Sequence, residues 1–150
     1  MRTIDAKLRG KGPSQAKDWT RTLSYWRTFA ADSFDERARL DVAACVRRIS
    51  STIPAWREAI CGDAAAASGL VLRLGAPPRI CARVDTAMTV LLNTAFENAG
   101  AALVLSYALR RMPLDPHERA RLAISWLAHN RRRHAGRSMT ARKPNREDRG

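Results

Sequence analysis

An all-α fold, a compact bundle of five to seven helices over residues 15–130 between flexible basic ends, is predicted by three observations. Apolar residues recur at spacings of three and four along most of the chain. Helix starts are marked by Ser, Asp and Pro, and helix stops by Gly and Pro. The net charge of +13 lies largely outside this periodic body: Lys and Arg outnumber acids seven to two in residues 1–30, twelve to ten in 31–130 and eight to two in 131–150. A body of this length buries a true core without disulfides or metals.

Residues 1–14 lack periodicity and hold Gly10, Gly12 and Pro13, so they read as a flexible basic leader. Ser14 then caps a first helix whose stripe is Trp19, Leu23, Trp26 and Ala30, widened by Phe29. Ser33 and Glu36 stand three apart as a capping box requires and open a second helix, with Phe34, Ala38, Val42, Cys45 and Ile49 inward and Arg39, Arg47, Arg48 and Asp41 outward. A third starts at Thr52 with Pro54 in its first turn, packs Trp56, Ala59 and Ile60, and ends at Gly62.

The alanine-rich run from Ala64 leads into Leu70, Val71, Leu72 and Leu74 and stops at Gly75, which favours helix over strand. From Arg79, one face collects Ile80, Val84, Met88, Leu91 and Ala95, until Asn98 and Gly100 break it. Ala101–Met112 is apolar nearly all round and belongs at the centre of the bundle. The last helix has Asp115 as cap, Pro116 at its first position and Glu118 as reciprocal partner, with Ala120, Ala123, Ile124 and Leu127 facing the core and Leu122 and Trp126 on a flank. Arg131, Arg132 and Arg133 would point about 100° apart on a helix, so the core ends before them. Residues 131–150 are expected to form a disordered basic tail.

Function is approached through exclusion. His117, His129 and His134 have no spaced acid or cysteine partner, and no glycine-rich phosphate loop occurs, so no catalytic, cofactor-binding or metal-ligating residue is assigned and no enzyme is expected. Cys45, Cys61 and Cys81 form no CxxC and are odd in number, which suits a reducing cytoplasm. They are expected at apolar helical positions. No apolar signal segment opens the chain. Residues 86–109 carry one charge, Glu97, over a length that could span a bilayer, but Asn93, Glu97, Asn98 and Gly100 in the middle favour two buried helices and a turn. No membrane partner is expected.

Basic ends point to polyanions. The candidate nucleic-acid contacts are Arg21, Arg27, Arg131, Arg132, Arg133, Arg137, Arg142 and Lys143, and the candidate stacking or partner residues are Trp19 and Trp26, which adjoin the leader. Of 27 basic residues 23 are arginine; guanidinium forks match phosphate geometry, although a GC-rich genome also enriches Arg and Ala together, which suggests a bacterial source. No helix-turn-helix is found, because neither Gly75–Pro78 nor Asn98–Gly100 leads into a helix with exposed Arg, Asn and Gln.

Ala101, Leu105, Ala108, Leu109 and Pro113 resemble the second half of one tetratricopeptide unit, whose stacked hairpins bind peptides. Asp85 and Thr89 stand where that family prefers an aromatic residue and glycine, and the echo at Leu70–Leu72 lacks the pattern, so membership does not follow. The expectation is a non-catalytic accessory protein that contacts DNA or RNA without established specificity through its basic ends, with the helical body docking a protein partner or a second copy. The alternative is a helical adaptor or chaperone-like module whose charge serves solubility or an acidic protein partner.

Overall fold

The computed structural model describes residues 19–141, with side chains as far as 137; it is helical, with no strand among the described residues. Helix α1 is described over 19–22 and gives way to tight 3-10 turns at Tyr25–Arg27 and Ala31–Ser33. Then follow α2 (Glu36–Arg48), α3 (Trp56–Ile60), α4 (Ala64–Leu72), α5 (Ala82–Ala95), α6 (Ala99–Leu109) and α7 (Pro116–Ala141). The leader at 1–14 and the Ser14 cap lie outside the described residues.

Short polar side chains start most of the longer helices. Asp35, Asp63 and Asn98 accept backbone N–H bonds from Ala38, Ala66 and Ala101 at 2.8, 2.8 and 2.9 Å, and Asp115 accepts from His117 and Glu118 at 3.1 and 3.2 Å. Each satisfies a donor that has no partner inside its own helix. The expected Ser33–Glu36 box is therefore replaced by Asp35, while Ser33 lies in a 3-10 turn. Glu118 likewise pairs with Arg121 at 2.8 Å instead of reaching back. The start expected at Thr52 moves to Trp56, because Ala55 takes a left-handed backbone, φ 63°.

Helix α5 is the hub, packing against α2, α3, α4, α6 and the turn at Tyr25–Arg27; α7 lies along α6 and touches the turn at Ala31–Ser33. The core runs through Phe34, Val42, Val46, Met88, Leu91, Leu92, Leu105, Leu109, Leu122 and Trp126, all buried. The periodicity of α2 and α5 is thus confirmed. Asn98 separates α5 from α6, and no helix among the described residues is long and apolar enough to cross a membrane.

Three expectations are corrected. The chain bends after 22, so Trp19, Leu23, Trp26 and Ala30 do not share one continuous stripe. Helix α6 is not shielded all round, since Leu103 and Tyr107 are each half exposed. On α7 the inward face is Leu122, Ala123, Trp126 and Asn130, whereas Ile124 is 58% exposed and Ala120 faces solvent. An indole brings about 150–250 Å² into the core, so the register that buries Trp126 wins over the one that buries Ile124. Two polar bonds lock it: Ser106 Oγ donates to the Ala123 carbonyl at 2.6 Å, and the Asn130 side-chain amide donates to the Ala99 carbonyl.

Candidate functional site

The basic end of α7 continues a well-packed helix. Trp126 sits edge-on to Phe34 and His129, with centroids 5.9 and 5.3 Å apart, and His129 stacks on Phe96 at 5.7 Å. A His129 ring nitrogen lies 2.8 Å from the Phe96 carbonyl oxygen. This aromatic seat anchors the helix at about residue 130. Beyond it α7 continues to Ala141, so the tail expected to be disordered from 131 is helical through 141. Backbone hydrogen bonds carry the helix on where side-chain burial stops, and the stretch 131–141 adds about 16 Å at 1.5 Å per residue.

Arg131, Arg132, His134 and Arg137 are exposed there, while Arg133 is half-buried with its guanidinium 6.0 Å from the Phe96 centroid. The seam that buries Leu122, Trp126 and Asn130 thus continues as Arg133 and Arg137. His129, Arg132, Arg133, Gly136 and Arg137 line an open concavity of about 500 Å³ along this side. Arg142 and Lys143 lie outside the described residues.

A second basic site forms where the segment 19–25 lies over α2. Trp19, Arg21, Thr22 and Tyr25 from one side and Arg37, Asp41, Cys45 and Arg48 from the other line a groove of about 390 Å³. The α2 residues stand at successive spacings of four, four and three, one helical face. The Arg48 guanidinium lies 5.3 Å from the Trp19 ring centroid, a cation–π contact. Arg21 and Arg37 are exposed and have no ion pair among the described residues. Among the described residues, three guanidinium groups thus line the groove with one carboxylate, Asp41.

The candidates near the leader separate. Trp19 is half-buried on the groove and Arg21 lines it. Trp26 is fully buried, and its indole N–H donates to Asp85 Oδ1 at 2.8 Å, so its ring faces neither a base nor a partner. Arg27 donates to the same oxygen at 3.3 Å, which engages its charge within the fold. Arg37 and Arg48 were missed as site residues. The outward position of Arg48 on α2 was readable, but only the fold brings Arg21 to that face.

Other clusters show structural pairing. Arg39 binds Glu36 and also lies 3.3 Å from Glu97; its hydrogen bond holds the Glu36 carboxyl below the usual range. Among the described residues no group of three His, Cys, Asp or Glu is placed to hold a metal ion. Cys45 is buried in the groove wall and burial pushes its thiol pKa up, whereas Cys61 and Cys81 are exposed at helix ends rather than set in apolar stripes. A thiol reagent at neutral pH is therefore expected to modify two cysteines of the folded protein promptly and the third only on unfolding. Prompt reaction of all three would show that the segment 19–25 packed on α2 does not keep Cys45 buried.

No family model matches this chain, and no match emerges among curated proteins or solved structures.

Proposed function

We propose that this chain is a non-catalytic accessory protein of the bacterial cytoplasm that contacts nucleic acid through its basic surfaces, with the helical body serving partner docking or dimerisation. The observation that carries the reading is the end of α7, where Arg131, Arg132 and Arg137 stand exposed on a helix that runs past the core, with Arg133 resting on Phe96 beside them. Their directions, about 100° apart per residue, offer cations on several sides of one rod. A rod of that kind can meet phosphates on both walls of a duplex major groove, which is wide enough for an α-helix. The three free cysteines support a reducing compartment.

The test is titration of the full chain with duplex DNA and duplex RNA over a range of salt. Binding is expected to weaken steeply and linearly on a logarithmic salt axis, with DNA preferred because the major groove of an RNA helix is too narrow for side chains to read. Affinity for both duplexes that is indifferent to salt would overturn the reading. Protein docking is the second reading, and it is favoured by Leu103, Tyr107 and Ile124, each at least half exposed on the paired helices α6 and α7.

A further inference from the structure

The groove between residues 19–25 and α2 has features that phosphate attraction alone does not require. Of the four tryptophans, Trp26, Trp56 and Trp126 are buried, and Trp19 is half-buried on the rim of a concavity. Arg48 is placed over its ring, and Tyr25 also lines the groove, held edge-on to Phe29 with centroids 4.9 Å apart. The volume of about 390 Å³ falls at the small end of the range for ligand clefts. Aromatic faces and guanidinium planes stack on unpaired bases, whereas bases inside a duplex are already stacked and paired.

We infer that this groove takes one unpaired nucleotide of a single strand, its base against the Trp19 and Arg48 pair and its phosphate on Arg21 and Arg37. The inference rests on the nucleic-acid reading proposed above and adds a substrate class to it. Among the described lining residues Arg21, Arg37 and Arg48 outweigh Asp41, a positive balance that suits a backbone phosphate. The flat indole gives every base a surface to stack on, so binding is tolerant of sequence. The overhang of α7 and this groove therefore serve different forms of nucleic acid: a duplex at the helix, an unpaired strand at the groove.

The experiment compares the full chain with Trp19→Ala, Trp19→Phe and Arg37→Glu variants, using single-stranded oligothymidylate, oligouridylate, duplex DNA and inorganic phosphate as probes. Stacking by one base is worth about 1–3 kcal/mol, so Trp19→Ala is expected to weaken single-strand binding roughly five- to hundredfold while duplex affinity stays within about twofold. Trp19→Phe should retain most of the affinity, and Arg37→Glu, at an exposed position, should lose it without unfolding the protein. Oligonucleotide should quench tryptophan emission in the unsubstituted chain and not in Trp19→Phe, because the other indoles are buried.

Normal single-strand binding by both Trp19→Ala and Arg37→Glu would overturn the groove and leave the duplex reading standing. Inorganic phosphate that quenches as strongly as oligonucleotide at equal concentration would also overturn it, by showing an anion site without base recognition. Failure of the unsubstituted chain to bind any of the nucleic acids would overturn both readings.

Discussion

Replacing Trp26 with alanine is expected to destabilise the protein by about 3–5 kcal/mol, the usual loss for a buried aromatic side chain. Trp26 is fully buried where the turn at Tyr25–Arg27 packs on α5, and its N–H bond to Asp85 ties two segments 59 residues apart. Its loss opens a cavity and leaves Asp85 with Arg27 as its remaining side-chain partner. For a chain of this size, about 2–4 °C is lost per kcal/mol, so the melting temperature should fall by roughly 10 °C. Trp26→Phe keeps much of the volume and removes the hydrogen bond, so it should cost less than alanine but more than Trp126→Phe. Trp126 has a buried indole N–H without a partner among the described residues, and phenylalanine there removes that defect. Urea unfolding of the three variants checks the order; equal losses for the two phenylalanine variants would show that the Asp85 bond contributes nothing.

Substituting Arg131, Arg132 and Arg137 together by alanine is expected to weaken duplex DNA binding roughly a hundredfold at physiological salt, if each arginine neutralises one phosphate. The slope of log affinity against log salt should flatten by roughly 2 to 3, near 0.9 per lost contact. Arg133 is left in place because it rests on Phe96 and its loss would also disturb the seat of α7. Alanine preserves helix propensity, so circular dichroism should show no loss of helix. An unchanged salt slope with intact helicity would move the duplex contact away from α7.

The helical class was legible because local signals agree with one another. The stripe Phe34, Ala38, Val42 and Cys45 is buried as its spacing requires, as are Val84, Met88, Leu91 and Ala95. The cap at Asp115 was legible in the same way, since it depends on neighbours in sequence. The α7 register misled because Ile124 and Trp126 compete for the inward side, and the choice depends on Phe34 and Ser106, which lie far away in the chain.

The candidate site was legible in part. Arg21 and Trp19 could be chosen from their place beside the leader, and Arg131, Arg132, Arg133 and Arg137 from their crowding after the last core position. Trp26 was misassigned, because Asp85, the group that draws it inward, is 59 positions away. Arg37 and Arg48 acquire a role only because segment 19–25 folds across α2.

By itself the sequence determined the helical class, the cap at Asp115 and the concentration of charge at the two ends. These are local properties, set by hydrogen bonds and spacings within a few residues. Tertiary packing alone decided that Trp26 enters the core while Trp19 stays on a groove, and that the middle of the chain supplies Arg37 and Arg48 to it. Those choices follow from which distant surfaces meet, since an indole is buried where a partner for its N–H and a cavity of its shape coincide. A charge becomes part of a site in the same way, when folding brings other cations and an aromatic face beside it.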